Sequence, residues 1–189
     1  MQTNYTIRAA QPADAAVCVP IIIDTIGSIA YTLSGSQDKQ ITLQVLTHFF
    51  EQPANRISYQ NCLVIEVLGQ IVGVLVAYHG SQTNTLDQPY IDHILHTTKQ
   101  QVTITKEAQD DEYYLDTIGI LPNYRGKGYG TVLIGAFEKQ AAQLGYSKLA
   151  LLVSQKNEGA YKLYQRLGYV ADYDIIFSGY HFWHLVKWQ

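Results

Sequence analysis

Three closely spaced glycines lie beside two basic side chains in the stretch LPNYRGKGYG, residues 121–130. Gly126, Gly128 and Gly130 alternate with other residues, and Arg125 and Lys127 stand among them. Glycine loses more conformational freedom on folding than any other residue, so three within five positions indicate a special backbone path. The stretch therefore fits either a flexible surface turn or a loop whose backbone N–H groups converge on an anion.

Two common phosphate-binding patterns do not fit this stretch. A P-loop requires GxxxxGK[ST], which no window of the chain provides. The dinucleotide pattern GxGxxG would need a glycine where the chain has Thr131 or Leu133. Enzymes of nucleoside triphosphates and nicotinamide cofactors are therefore disfavoured. The stretch does fit a glycine-rich entry into a helix, where free N–H groups and the helix dipole favour negative charge.

With its neighbours, the stretch resembles the GNAT superfamily of N-acetyltransferases. The family's cofactor loop, Arg/Gln-x-x-Gly-x-Gly/Ala, is matched by Arg125, Gly128 and Gly130, and the preceding YYLDTIGILP follows the family pattern. The opening IRAAQPAD is also similar to the common family opening, and the close matches cover about residues 112–170. The stretch NEGAYKLYQRLGY resembles the second family signature at Asn157, Ala160, Leu163, Tyr164, Gly168 and Tyr169.

The resemblance implies an N-acetyltransferase that moves an acetyl group from acetyl-CoA to a primary amine by direct attack in a ternary complex, without a metal. A bulge in the strand before the loop, expected within Ile118, Gly119 and Ile120, would give a backbone N–H to the thioester carbonyl. A non-catalytic acyl-CoA-binding sensor or regulatory module of the same fold is the alternative. The implied pyrophosphate-binding residues are Arg125, Gly126, Lys127, Gly128, Tyr129, Gly130 and Thr131.

The resemblance also implies roles for two side chains of the second signature. Tyr164 would donate a proton to the leaving thiolate, and Asn157 would contact the cofactor. Structural explanations fit the same residues. Tyr164 shares a predicted helix face with Leu163 and Leu167, as a core residue would. Asn157 suits a helix N-cap, and Arg125 of the loop suits a solvated surface.

The sequence does not identify a single residue as the general base. Asp116 is the candidate, because on an alternating strand it shares a face with Ile118. A structural hydrogen-bonding role suits Asp116 equally well, and Glu112 lies near the same place. The strand LALLVS carries no carboxylate. Further candidates, each also suited to a structural or surface position, are His79, His181 and His184.

These residues need a sheet and flanking helices to position them. The predicted fold class is α/β: a GNAT-like mixed, mostly antiparallel central sheet of about seven strands flanked by about four helices, with splayed parallel strands at the cofactor site. Hydrophobic patterns and turn signals predict strands at about 5–8, 62–68, 71–78, 113–120, 149–154, 169–177 and 180–188. Helices are predicted from Pro12 with a kink or break at Pro20, and at about 40–51, 128–144 and 157–167.

The acceptor should lie against the variable parts of the chain. The whole chain, 1–189, is interpreted as a single domain with an insertion at about 81–111, which is polar and irregular apart from a short helix in IDHILHTT. The stretch 31–39, this insertion and the aromatic residues Tyr180, Phe182 and Trp183 predict an aromatic-lined cleft for a small-molecule amine or a peptide N-terminus.

Composition limits the remaining partners. The chain has 189 residues, 47% hydrophobic and 15% charged, which is typical of a globular domain. A formal net charge of −3 with no basic block argues against nucleic acid. The apolar run 15–23 is too short to span a membrane, and no signal peptide is indicated, so a cytoplasmic location is expected. Cys18 and Cys62 should be buried free thiols, and the last strands suit a homodimer edge.

Overall fold

A computed structural model describes residues 5–177 and 179–189. The described residues form seven strands and six α-helices, with short 3-10 turns between them. The strands are β1 (Tyr5–Ala9), β2 (Cys62–Val67), β3 (Gln70–His79), β4 (Tyr113–Ile120), β5 (Lys148–Ser154), β6 (Val170–Phe177) and β7 (Tyr180–Trp188). The helices are α1 (Ala15–Ile26), α2 (Ser28–Ser34), α3 (Lys39–Glu51), α4 (Thr83–Thr98), α5 (Tyr129–Leu144) and α6 (Glu158–Arg166).

All seven strands form one sheet in the order β1-β2-β3-β4-β5-β7-β6. Every neighbouring pair is antiparallel except β4 and β5, which run parallel. The predicted mixed, mostly antiparallel sheet of seven strands is confirmed. The helices number six in the described ranges, where about four were expected, because α2 and α4 were not predicted as complete helices.

Helices cover both faces of the sheet. The alternation of β3 sends Val74 and Val76 into a core with α1 and α3, whereas Leu75 faces the opposite core with α5. Leu149 and Leu151 of β5 share the second core with the apolar stripe of α5. Both cysteines, in α1 and β2, are free and buried as predicted.

The first helix is not interrupted at Pro20, so the break that the sequence prediction allowed does not occur. Helix α1 runs through Pro20 and ends at Gly27, whose φ of 57° and ψ of −122° suit glycine. Burial of Cys18, Val19 and Ile22 holds α1 against the sheet and offsets the backbone hydrogen bond that proline cannot make. In the described ranges no single helix is long and apolar enough to cross a membrane; Pro12–Ile26 and Ser28–Ser34, bent by 116°, pass that test only as a pair.

The polar segment 81–111 is more regular than predicted. Helix α4 occupies Thr83–Thr98 and continues through Pro89, so the expected short helix in IDHILHTT is only its second half. Its buried face includes Asp87 and Tyr90 as well as apolar residues, and this mixed face hides the helical period. Tyr90 packs on Phe49 of α3 with ring centroids 4.2 Å apart. The segment therefore joins the core of the α1 and α3 side.

Candidate active site

A cleft opens where β4 and β5 separate. The two strands pair over only three positions, which end at Leu115 and Leu151. Beyond them β4 stays with β3 as far as Ile120, and β5 stays with β7 as far as Ser154. The predicted splay is thus present, and a cavity of about 500 Å³ lies at it. This volume is within the range of small-molecule sites.

The cavity has polar and aromatic walls. The junction of α1 and α2, residues 25–29, forms one side, and α6 contributes Ala160 and Tyr164 to another. Tyr180 and Phe182 of β7 also line it, in agreement with the predicted aromatic cleft. Trp183 lies elsewhere, because its ring packs against Tyr161 of α6.

The glycine-rich loop adjoins the cleft at the end of β4. Gly126 and Gly128 have φ values of 75° and 85°, which side chains rarely adopt, and no atom lies within 4 Å of the place where a Cβ would stand. The first intrahelical bond of α5 runs from the Val132 N–H to the Gly128 carbonyl. The N–H groups of Tyr129, Gly130 and Thr131 therefore precede the helical ladder, as an anion-binding helix entry requires.

The basic side chains of the loop remain largely accessible. The Arg125 Nε donates to the Ile120 carbonyl at 2.9 Å, which ties the loop to the end of β4. The same guanidinium lies 4.0 Å from the Asp24 carboxylate, and its side chain is 60% exposed. Lys127 lies over the Tyr124 ring at 5.1 Å. The side chain of Tyr129, in contrast, is buried in the α5 core, with its ring beside that of Tyr124.

Tyr164 is held in α6 with its hydroxyl in the cavity. The residue is 6% exposed, and its ring packs edge-on against Tyr169. Its hydroxyl makes no hydrogen bond with any described residue, although it borders the cavity. Burial raises the pKa of Tyr164 to about 12, so the phenol keeps its proton near neutral pH. The core and cavity interpretations both hold: the ring is core and the hydroxyl is available.

Asn157 caps the helix that carries Tyr164. Its side-chain oxygen accepts from the Ala160 N–H at 3.1 Å, and its own N–H donates to the Ser154 carbonyl at 2.8 Å. This N-cap fixes the start of α6 directly after β5. Asn157 also borders the cavity, so capping leaves it available for a ligand contact.

The bulge in β4 is not where the sequence placed it. Val76 pairs with Thr117 and Ala77 pairs with Leu115, so Asp116 is the extra residue. The expected position within Ile118–Ile120 was wrong, because the register depends on the partner strand β3. Gly119 has a packing role instead: a Cβ there would clash with Ile21 of α1 and lie 2.6 Å from the Thr25 Oγ1.

Asp116 faces the cavity but is closely surrounded by donors. Tyr78 donates its hydroxyl to Oδ2 of Asp116 at 2.6 Å, and Thr117 donates to Oδ1 at 2.8 Å. The Arg56 Nη1 lies 3.6 Å from Oδ2. The structure therefore brings Asp116 together with Ile118, Asn157 and Tyr164 at the cavity, whereas the loop 125–131 lies beyond it at the Ile120 end.

Sequence reasoning missed three charged residues beside Asp116. Arg56 donates to Asp87 of α4 at 2.8 Å and to Glu107 at 2.9 Å, and its side chain is 3% exposed. Arg56 and Glu107 border the cavity. Asp87 and Glu107 are 31 and 51 positions from Arg56 in the sequence. A local spacing pattern therefore could not predict that these side chains come together. The only sequence signal was the presence of acidic residues within the polar segment 81–111.

The other predicted base candidates lie away from the described cavity. His184 and Glu112 are fully buried together, with Nε2 of His184 3.2 Å from Oε1 of Glu112. Lys148 also pairs with Glu112 at 3.1 Å. His79 stacks on Tyr146, and His181 lies in a separate depression beside Tyr180. In the described ranges, no three His, Cys, Asp or Glu side chains form a group suited to a metal.

Comparison with known protein families gives a consistent assignment. Residues 31–169 match the acetyltransferase (GNAT) family. An uncharacterized N-acetyltransferase of Bacillus subtilis, YycN, is 33% identical over 72 residues, which are 38% of this chain and 46% of that protein. An acetyltransferase of Yersinia pestis (strain Pestoides F) is 37% identical over 57 residues, 30% of this chain and 38% of its own. The chain thus matches less than half the length of these curated relatives.

Solved structures share the fold over nearly the whole chain. A crystal structure described as an acetyltransferase superimposes with a TM-score of 0.81 at 26% identity, covering 97% of this chain and 98% of the other. An N-acetyltransferase from Staphylococcus aureus Mu50 gives 0.78 at 24% identity, covering 96% and 100%. The PaiA N-acetyltransferase of Thermoplasma acidophilum, solved with coenzyme A, gives 0.61 at 14% identity, covering 98% and 99%.

Proposed function

The chain belongs to the acetyltransferase (GNAT) family, and on this premise we propose that it transfers an acetyl group from acetyl-CoA to a primary amine. The observation that carries the proposal is the unpartnered Tyr164 hydroxyl in the cleft between β4 and β5. This hydroxyl has no partner among the described residues and remains accessible from the cleft, so water or a ligand there can hydrogen-bond to it. The acceptor is a small-molecule amine or a peptide N-terminus.

The residues present fit acetyl-CoA. The loop 125–131 offers positive φ glycines, open space and helix-entry N–H groups to a pyrophosphate, with Arg125 and Lys127 as accessible cations. Asn157 and the strand segment Ile118–Ile120 would hold the part that reaches into the cleft. When bound, acetyl-CoA supplies the acetyl group as an activated thioester.

The chain's own contribution to the chemistry is small and positional. A backbone N–H close to the bulge at Asp116 would stabilise the negative charge that develops on the thioester oxygen. Tyr164 would donate its proton to the sulfur as the C–S bond breaks. Direct attack in a ternary complex requires no covalent intermediate on the protein, and both cysteines are buried in the core away from the cleft.

Replacing Tyr164 with phenylalanine tests this function. We expect thiol release from acetyl-CoA with a panel of primary amines to fall about 100-fold in Y164F, as general acid catalysis would. The affinity for acetyl-CoA, measured by titration calorimetry, should change little, because the ring that fills the core remains. Y161F is the matched control: Tyr161 lies on the same helix, packs on Trp183 and does not border the cavity.

Two results would contradict the proposal in different ways. Equal activity of Y164F and Y161F would remove the acid role from Tyr164. Tight binding of acetyl-CoA without turnover of any amine would favour the alternative, a non-catalytic acyl-CoA-binding sensor of the same fold. A cytoplasmic location and a homodimer formed at the edge strand β6 remain parts of the proposal.

A further inference from the structure

One end of the cavity holds a buried cluster of four charged side chains, which we call the Arg56 cluster: Arg56, Asp87, Glu107 and Asp116. Arg56 uses Nε and Nη2 for Asp87, and its Nη1 lies 2.9 Å from Glu107 and 3.6 Å from Asp116. The four side chains come from four separate segments of the chain. Three of them border the cavity, and Asp87 stands behind them. The cluster is therefore a wall of the site.

The Arg56 cluster has too few positive charges. Among the described residues, its three carboxylates pair with one cation, the Arg56 guanidinium. Fully ionised, the cluster would carry two excess negative charges at a buried position, which is costly. A proton on one carboxylate, or a cation in the cavity, lowers this cost. The cavity beside the cluster is thus suited to a positively charged ligand.

Glu107 is the carboxylate best placed to exchange a proton with that ligand. Asp116 receives two hydroxyl hydrogen bonds besides its contact with Arg56, and Asp87 does not border the cavity. Each oxygen of Glu107 accepts one bond, from Arg56 and from the Tyr114 hydroxyl at 2.9 Å. Each oxygen therefore keeps acceptor capacity, and Glu107 borders the cavity.

A second observation concerns a polar group that a ligand in the same cavity could use. Tyr164 borders it, is nine-tenths buried and has no hydrogen-bond partner in the described part of the chain. The unpaired hydroxyl belongs to α6, whereas the members of the Arg56 cluster come from other segments of the chain. The cavity therefore offers a ligand both a proton donor and an excess of negative charge.

We propose that the acceptor binds as a cationic primary amine and that Glu107 takes its proton, with Arg56 and Asp87 as positioning residues. This inference rests on the proposed acetyl transfer. An N–H bond of the ammonium breaks and an O–H bond forms on Glu107, which frees the nitrogen lone pair to attack the acetyl carbonyl. Tyr164 supplies a proton to the sulfur as the C–S bond breaks, and the second proton that the nitrogen loses after attack restores the proton of Tyr164. Glu107 returns its proton to water, so each turnover releases one proton.

The groups that face Glu107 fix the sign of the pH dependence. They are Arg56 from the loop before β2, Asp87 from α4, Tyr78 from β3, and Tyr114 and Asp116 from β4. Burial and the Asp116 charge raise the pKa of Glu107 above its ordinary value, against the opposing effect of Arg56. The carboxylate is therefore ionised only above this raised pKa, whereas an alkylammonium is cationic below its own.

The wild-type pH profile gives the first test and requires no variant. With ethylamine, kcat/KM should rise as Glu107 ionises and then stay level up to the pKa of the amine. Without a proton acceptor, the reaction would need the free neutral amine, and kcat/KM would rise tenfold per pH unit across the neutral range. A profile of this second kind would overturn the proposal.

The E107Q variant gives the second test. We expect kcat/KM for ethylamine to fall about 100-fold and its profile to acquire the tenfold rise per pH unit. With 2,2,2-trifluoroethylamine, which is largely neutral at pH 7 because fluorine weakens its basicity, the loss should be less than tenfold. Thermal unfolding and acetyl-CoA affinity are measured in parallel. D110N is the matched control, since Asp110 lies in the same segment, is exposed and pairs with Lys106.

The outcomes separate this inference from the proposed function. An E107Q variant as active as D110N, or equally impaired with both amines while still binding acetyl-CoA, overturns the role of Glu107 and leaves acetyl transfer intact. Absence of thiol release by the wild type with every primary amine of the panel overturns the proposed function and, with it, this inference. If E107Q does not fold, the wild-type profiles with the two amines decide alone.

Discussion

At the Ile120 end of the cleft, one continuous segment, residues 121–131, supplies backbone N–H groups and two accessible cations. At the other end, the Arg56 cluster (Arg56, Asp87, Glu107 and Asp116) brings together side chains that are up to 60 positions from Arg56 in the chain. The first end relies on glycine conformation and helix entry, with Arg125 60% exposed. The second relies on buried charges, with Arg56 only 3% exposed.

This difference corresponds to the two ligands of the proposed reaction: a pyrophosphate, which is the same in every acetyl-CoA site, and an acceptor, which varies. A pyrophosphate can be bound by the backbone, so a short pattern of glycines is sufficient wherever the fold recurs. An acceptor must be distinguished by side chains, and these come from whichever segments reach the cavity. In this chain the segment 81–111 supplies two members of the Arg56 cluster, Asp87 and Glu107.

The largest expected effect is on stability, and it appears when one arginine at each end of the cleft is replaced with methionine. R56M leaves three buried carboxylates without their cation, and we expect the free energy of unfolding to fall by about 3–5 kcal/mol. R125M removes an exposed side chain, and a loss below about 1 kcal/mol is expected. Urea denaturation of both variants measures the difference.

R125M should instead weaken acetyl-CoA binding, which calorimetric titration can detect in the folded variant. R56K is an informative companion of R56M, because lysine keeps the charge but cannot reproduce the paired contacts with Asp87. Equal stability of R56M and R125M would mean that the Arg56 cluster is not a buried charged unit, and the comparison between the two ends would lose its basis.

A smaller effect is expected in the strand wall between the two ends. In G119A the new methyl would press against Ile21 and Thr25 of α1, and overpacking of this kind costs about 1–3 kcal/mol. Thermal and urea unfolding measure the loss. G135A is the control: Gly135 lies within α5 with no atom within 4 Å of a Cβ, so alanine should leave stability unchanged or raise it by up to about 1 kcal/mol. Similar losses in both variants would show that contact with α1 is not what requires glycine at 119.

The smallest effect concerns the helix cap at the cofactor side. N157A removes the bond to the Ala160 N–H, and we expect a loss of about 1 kcal/mol in unfolding free energy. If Asn157 also contacts acetyl-CoA, the KM for acetyl-CoA should rise as well, in thiol-release assays. N84A, on the exposed surface of α4, should leave the KM unchanged and should not lower the unfolding free energy. A cap role alone would leave the KM of N157A at the wild-type value.

The sequence predicted best those features that depend on local patterns. The strands at 113–120 and 149–154, the helix entry after Gly128 and the N-cap at Asn157 follow from alternation, turn residues and capping chemistry. The first half of helix α4 was missed, because Pro89 lies inside the helix and its buried face includes Asp87. The bulge was misplaced, since its position at Asp116 is set by pairing with β3, which no pattern within β4 encodes.

The short parallel contact between β4 and β5 has a consequence for hydrogen–deuterium exchange. Over Tyr113–Leu115 the strand has a ladder on each side, so those amides exchange only when the sheet itself opens. Past Leu115 the ladder toward β5 ends, and the amides of Asp116–Ile120 that point into the cleft depend on solvent or on a ligand. A ligand in the cleft should therefore raise the protection factors of those amides in Asp116–Ile120, whereas the protection factor of Leu115 should stay constant and serve as the internal reference.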